Sequence, residues 1–301
     1  MLVLFVILVG VLGLVIYNAI GWPGVGGASA CPAGSVSVLI PARNEEAHIR
    51  DALMPVLDQG AVVKEVLVYD DHSIDRTAAC VREVSMRSEK VRLIPPLALP
   101  QGWCGKPFAC AQLASAASGD WLLFIDADAR IQPGAVGRMI TEAMQRKATL
   151  LSFWPGLDMK GFWERALMPM LNFVVFSMFP APLSFHMKMP ALGLAHGACI
   201  LIRRDVYQLT GGHAMVRAEL FEDTVLARAW RKAGQTRFCM DGQDVVRVRM
   251  YDSLSGIWTV NAAGVMKDLS KYEDRKDSKP FSSALAVTVT STSIVAASLM
   301  R

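Results

Sequence analysis

Two aspartates separated by one residue, Asp126 and Asp128, directly follow the apolar run Trp121–Ile125. A hard divalent cation takes oxygen ligands and usually keeps some waters while bridging to substrate phosphates. One carboxylate on a metal and its neighbour toward a ribose hydroxyl would use both groups, with Mg²⁺ or Mn²⁺ as the natural ion. A second acidic pair, Asp70-Asp71, follows Val66–Tyr69, where carboxylates can accept hydrogen bonds from a uracil N–H or from ribose hydroxyls. His72 reads as a turn residue rather than a base, Ser73 as a stabiliser of the turn, and Asp75 as the cap of the next helix. At the end of Val36–Ile40, Pro41 fixes the exit of the chain. Arg43, Asn44 and Glu45 then form a polar rim for a nucleotide, with Asn44 also placed to cap a helix.

Two further segments carry charge at a helix start. Gly102-Trp103-Cys104-Gly105-Lys106-Pro107 is glycine-rich but lacks P-loop spacing. Lys106, near a helix N-terminus, can still approach a phosphate. In Leu220-Phe221-Glu222-Asp223-Thr224 the acidic pair is favoured by the helix macrodipole alone. Its chemical reading makes Asp223 a general base that takes the proton of an acceptor hydroxyl as it attacks.

These residues need a scaffold that gathers strand ends. From Val36 onward, short β-branched runs alternate with helical stretches. Strands are expected at Val36–Ile40, Val66–Tyr69, Val91–Ile94, Trp121–Ile125, Leu150–Phe153 and Ala198–Ile202. Helices are expected at Glu45–Leu57, Asp75–Ser88, Lys106–Ala117, Pro133–Lys147 and about Phe221–Ala233. Strands separated by helices argue for βαβ units and a mostly parallel, Rossmann-like α/β sheet. Ligands bind such sheets beyond the carboxyl ends of the strands, which is where the acids fall.

The composition adds a membrane. Apolar residues make up 52% and charged residues 19%, with mean hydropathy +0.33, beyond the usual soluble balance. A disordered chain is excluded. The net charge of +4, from 31 basic and 27 acidic residues, is too small and too evenly spread for a nucleic-acid binder. Six scattered cysteines and five histidines show neither a CxxC pair nor metal-ligand spacing, which disfavours zinc and suits a reducing compartment.

Leu2–Ile20 is almost wholly aliphatic and long enough to cross a bilayer, so residues 1–22 are expected to be a retained transmembrane anchor. The rival is a signal peptide cleaved after Ala28-Ser29-Ala30, or a lipoprotein cleaved before Cys31; both lack the expected basic n-region. Ala166–Met187, within residues 160–190, is uncharged and interrupted by Pro169, Pro180 and Pro182, which suggests an interfacial or re-entrant segment, with a buried core helix as the alternative. Residues 280–301 read as a C-terminal transmembrane segment. The preceding Lys267, Lys271, Arg275, Lys276 and Lys279 place the central domain, residues 35–250, on the cytoplasmic side of the cell membrane.

In order and spacing, Ile40-Pro41-Ala42-Arg43-Asn44-Glu45, Asp70-Asp71-His72-Ser73-Ile74-Asp75, Gly105-Lys106, Asp126-Ala127-Asp128, Gly211-Gly212 and Glu222-Asp223 together resemble family 2 glycosyltransferases of the GT-A fold. The Gly102–Lys106 loop, Arg203-Arg204 before Gly211-Gly212-His213, and Arg249-Met250-Tyr251 look most like its membrane-bound branch near hopanoid-associated and carotenoid glycosyltransferases. The resemblance implies that Asp70 or Asp71 holds the nucleoside, Asp126 and Asp128 the ribose and metal-bound diphosphate, Asp223 serves as base, and Arg249 meets the pyrophosphate. It also implies a UDP-linked donor, an inverting reaction and a lipid acceptor. Processive synthases carry a QxxRW motif after the base; Gln235-Thr236-Arg237-Phe238 does not match it, which favours transfer of a single sugar. Two other classes fit less well: a non-catalytic scaffold has no need of these acids together, and a nucleotidyltransferase would carry a glycine-rich basic signature near its first strand.

Overall fold

The computed structural model describes residues 1–27, 34–219 and 222–249. The candidate cleavage site at 28–31, the basic cluster at 267–279 and the segment 280–301 lie outside the described residues.

The elements run α1 (Leu2–Gly21), β1 (Val36–Ala42), α2 (Ile49–Leu57), β2 (Val63–Asp70), α3 (Thr77–Ser85), β3 (Val91–Ile94), α4 (Gly105–Ala116), β4 (Trp121–Ile125), β5 (Ala129–Ile131) and α5 (Ala135–Gln145). They continue with β6 (Leu150–Trp154), β7 (Gly156–Leu157), α6 (Phe162–Met178), α7 (Leu183–His186), β8 (Cys199–Arg203), α8 (Arg204–Thr210), α9 (Glu222–Lys232), β9 (Arg237–Asp241) and β10 (Val246–Val248). The chain divides into two units. One comprises Met1–Asp158 with Phe179–Arg249 and carries every site residue described below; the described part of the other is Met159–Met178.

The main sheet has seven strands in the order β3-β2-β1-β4-β8-β6-β9. All neighbouring pairs are parallel except those of β8, which runs antiparallel between β4 and β6. Almost every residue of β1, β2 and β4 is buried, because helices cover both faces. The mostly parallel sheet is as the sequence pattern implies. The strand order reverses direction between β1 and β4, so their carboxyl ends open a crevice at one sheet edge. In the antiparallel register Ile125 pairs with Cys199, so the segment entering β8 starts at that same edge.

Three helices begin later than their sequence pattern suggests: α2 at Ile49, α3 at Thr77 and α5 at Ala135. For α2 and α3 the reason is a stitch between the loops after β1 and β2. Asn44 does not cap α2; its side chain accepts from Ile74 N at 2.9 Å, and its own N–H donates to Ser73 Oγ at 2.9 Å. Ser73 therefore joins two loops rather than only steadying its own. Glu45 N donates to Thr77 Oγ1 at 2.7 Å and Glu46 N to Asp75 Oδ2 at 3.1 Å. Asp75 also accepts from Thr77 N at 2.9 Å, but the N-cap of α3 is Arg76, so Asp75 closes a turn one residue before the cap instead of capping the helix itself.

A second, three-stranded sheet has the order β5-β10-β7. No sequence pattern announces it, since each strand is at most three residues long. Helix α1 is 20 residues long, apolar and largely exposed, about 30 Å at 1.5 Å per residue. It is the one helix among the described residues long and apolar enough to cross a membrane. In the second unit α6 runs for 17 residues through Pro169. Glu164 accepts at its start from Lys160 N (2.6 Å) and Gly161 N.

Gly212 is a position where a side chain has no room. Its φ is +51°, and a Cβ there would lie 2.2 Å from the Tyr207 ring. Gly212→Ala is expected to cost about 2–4 kcal/mol from left-handed backbone strain and overpacking, read as a lowered melting temperature in detergent solution.

Candidate active site

Lys106 organises the cleft. It sits in the first turn of α4, 41% exposed, and its Nζ lies 2.7 Å from Asp126 Oδ1 and 3.3 Å from Glu222 Oε1. Burial alone would lower its pKa, but the charges of Asp126 and Glu222 outweigh that and hold the ammonium well above its ordinary value. Lys106 was expected near a phosphate; here it joins two carboxylates brought from β4 and α9. A cation so placed can turn toward a diphosphate while remaining beside them.

Gly197 brings Asp223 into this group. A Cβ on Gly197 would lie 3.2 Å from Lys106 Nζ and 3.4 Å from Asp223 Oδ2, so a larger residue would crowd the lysine and the aspartate together. Asp223 is held by Thr224 N, which donates to Oδ1 at 2.6 Å, and by the Gly197 N–H. Burial is the largest influence on Asp223 and raises its pKa; Lys106 and these two N–H groups oppose it without cancelling it. Glu222 is raised for the same first reason, again opposed by Lys106. A carboxyl raised toward neutrality is a better proton acceptor than an ordinary surface aspartate.

Asp126 and Asp128 follow β4, with Asp126 N donating to Ala198 O at 3.2 Å. The Asp128 carboxyl is pushed up to about 6 by burial, with the charges of Asp126 and Glu45 adding to it. Three acids of the expected set thus meet electrostatically at the sheet edge. Asp71 lies on the other side of the α4 N-terminus: a Cβ on Gly105 would be 3.0 Å from its Oδ2. Arg43 Nη1 is 3.6 Å from that same oxygen, and His72 Nδ1 is 3.3 Å from Oδ1. Asp70 is buried and accepts from Ser73 N at 3.3 Å, so Asp71 is the more open of the pair. Pro41 lines the cleft with Lys106, Asp126, Gly197 and Glu222. Arg249 directly follows β10, whose last residue, Val248, has Ala129 as its register partner.

Sequence reasoning missed two groups. Gly197, entering β8, has no recognisable local signal. His213 is 3% exposed and lines the cleft. Its backbone N–H donates to Tyr207 Oη at 3.2 Å, and Tyr207 Oη lies 2.9 Å from His213 Nδ1. Burial pushes this histidine down to about 3, so it stays neutral. The signal was the glycine pair before it, which lets the chain fold tightly over Tyr207.

The residues fit a divalent cation only in company with a substrate. Asp126 and Asp128 supply hard oxygen donors, but among the described residues no group of three such side chains could hold a metal by itself. A diphosphate would have to complete the coordination, the usual arrangement for Mg²⁺.

Comparison with known proteins agrees with this geometry. The family model described as glycosyl transferase family 2 matches residues 37–210. The chain is 32% identical over 222 residues to 4,4'-diaponeurosporenoate glycosyltransferase of Staphylococcus haemolyticus (strain JCSC1435), covering 73% of this chain and 57% of that protein. It is 29% identical over 234 residues to the protein of that name from Staphylococcus aureus (strain MRSA252), covering 75% and 60%. The chain thus spans less than two thirds of the length of these relatives. Among solved structures, mannosyltransferase PcManGT from Pyrobaculum calidifontis superposes with TM-score 0.64 at 16% identity, covering 97% of this chain and 83% of the other. S. aureus TarS superposes with TM-score 0.50 at 17% identity, covering 77% and 39%. At these identities the likeness speaks for the fold, which is that of the GT-A glycosyltransferases. With its family model matching more than half of its length, the chain belongs to glycosyl transferase family 2.

Proposed function

We propose that the protein transfers a single sugar from a UDP-linked donor to a hydroxyl of a membrane lipid, inverting the anomeric centre. The observation that carries this reading is the junction of Lys106, Asp126, Glu222 and Asp223 about Gly197. It sets a carboxylate base beside the place where a departing diphosphate needs positive charge.

In this mechanism the loops after β1 and β2 hold the nucleoside, with Asp71 accepting from the base or ribose and Arg43 and Glu45 closing the rim. Asp128, with the donor's diphosphate, would hold Mg²⁺ or Mn²⁺, and Asp126 would meet the ribose. When bound, that ion supplies positive charge against the leaving group. Lys106 supplies a second, fixed positive charge, and Arg249 faces the same diphosphate. Asp223 takes the proton from the acceptor oxygen as it attacks in line from the face opposite the leaving group, and Glu222 keeps Lys106 in place. Preorganised charges of this kind act most strongly where water is excluded.

The substrates named with the relatives support the class: the two staphylococcal proteins carry a diaponeurosporenoate in their names, and PcManGT was solved with GDP-Man and Mn²⁺. Helix α1 supports anchorage in a membrane, and the basic residues Lys267, Lys271, Arg275, Lys276 and Lys279 favour a cytoplasmic catalytic domain. The test is incubation of the purified chain with labelled nucleotide sugars and a lipid extract, followed by mass spectrometry of the lipids. The expected product is one lipid species heavier by one sugar, absent after chelation and restored by Mn²⁺ or Mg²⁺. A ladder of added sugars, or release of free sugar alone, would overturn the reading.

A further inference from the structure

Beside the foot of α1 the chain lays a strap, residues 179–194, whose composition is one-sided. Neither 179–197 nor 224–240, the segment that holds the strap, contains a single Asp or Glu, while together they carry Lys188, Arg228, Arg231, Lys232 and Arg237. All three arginines spend hydrogen bonds on the strap's carbonyls. Arg231 donates to Met189 O at 3.1 Å and also to Met187 O and Ser184 O. Arg237 donates to Leu192 O and Leu194 O, and Arg228 donates to Gly193 O at 3.4 Å. Arg146, paired with Glu142 at 2.5 Å, lies over the Phe185 ring at 5.3 Å.

The backbone is therefore pinned while its tip faces outward. His186, Met187, Lys188, Met189, Pro190 and Ala191 are all exposed, as is Leu183. Pinning a segment costs conformational entropy, and here it holds two methionines and a leucine in water. The charge makes the arrangement odder still: burial and the neighbouring Arg231 push the Arg237 guanidinium down to about 9, since no carboxylate of the strap balances it.

Position resolves the oddity. Asn18, in the last turn of α1, donates from Nδ2 to Phe179 O at 2.6 Å and accepts from Ala181 N at 2.8 Å. A Cβ on Gly21 would touch Pro182 at 3.0 Å. If α1 crosses the hydrocarbon core, its last turn marks the headgroup level, and the strap is fastened there. Apolar tips flanked by bases and free of acids suit the boundary between acyl chains and anionic headgroups.

We infer that the 183–191 tip, with Lys188 and Lys232, is a contact surface for anionic phospholipid, seating Met187 and Met189 in the headgroup layer at the foot of α1. This rests on the membrane reading of α1 and deepens it by naming the lipid class and the residues that meet it. The strap runs on through His196 to Gly197, so lipid contact at the tip bears on the segment that touches Lys106 and Asp223.

The test is peroxide footprinting of the full chain in vesicles of phosphatidylcholine alone or with phosphatidylglycerol, after flotation to isolate bound protein. Met54, 53% exposed on α2 toward the opposite part of the sheet, serves as reference against Met187 at 40% and Met189 at 51%. In phosphatidylglycerol vesicles Met187 and Met189 should oxidise about tenfold more slowly than Met54, with weaker protection in phosphatidylcholine. The K188E/K232E variant should lose the difference between the two lipids. Oxidation matching Met54 in both vesicles would overturn the inference, as would equal protection in both. Protection that rises with protein concentration rather than lipid charge would assign the face to a second copy of the chain and overturn it as well. Failure to float would remove the anchor and this surface together. Sugar transfer assayed on the same samples separates the two readings, because a protected but inactive chain leaves the surface standing.

Discussion

Replacing Asp223 by asparagine is expected to lower sugar transfer by about 10²–10⁴-fold, the range of general-base catalysis, while nucleotide binding stays within about twofold because the change leaves the nucleoside loops untouched. The substitution is nearly isosteric. It also removes a carboxyl whose raised pKa means that ionisation costs the fold free energy, so Asp223→Asn should fold. Transfer rates under saturating donor, with donor affinity measured by calorimetry, check both halves. Unchanged turnover would remove the assigned base.

The second large effect is expected at Lys106. Lys106→Met removes a charge-assisted contact of 2.7 Å to Asp126 and its partner contact to Glu222. At about 1.5–3 kcal/mol for a hydrogen bond to a charged group, the loss in kcat/KM is roughly 10- to 100-fold. The pH profile carries a separate sign. Burial raises both Glu222 and Asp223, and Lys106 holds them down. Without the ammonium both carboxyls hold their protons to higher pH. The base must be ionised to act, so the acid limb of the rate profile moves upward in pH. Lys106→Arg keeps the charge and should leave the limb in place. A limb that does not move in Lys106→Met would show that the lysine acts on the diphosphate alone.

How much of this was legible beforehand divides along a physical line. The acids after β1, β2 and β4 were readable because each follows directly on a run of buried β-branched and aliphatic residues, and a buried parallel strand must deliver the next residues to its carboxyl edge. Asp71, Asp126 and Asp128 stand where that rule puts them. Helix starts were read less well. Asn44 and Ser73 have the composition of caps, yet they bind each other's loops, because two loops from adjacent parallel strands offer partners no single segment can display. The strands of the small sheet were illegible for a similar reason: two or three residues carry no periodicity, and only pairing across the chain makes them strands. Residues 267–301 lie outside the described residues, so the C-terminal membrane segment and its basic flank stand as sequence expectations.

By itself, then, the amino-acid order determined the alternation of buried strands and amphipathic helices, the acids that end those strands, and the apolar helix before them, since each depends on neighbours a few positions away. Tertiary structure alone decided which acids share a cation. Strand β8, inserted antiparallel between β4 and β6, returns Gly197 to the edge where Asp126 ends its own strand. The first turn of α9 then presents Glu222 and Asp223 to a lysine fixed at the start of α4. No local pattern encodes that meeting, because strand order is settled by which buried faces pack together across the whole sheet.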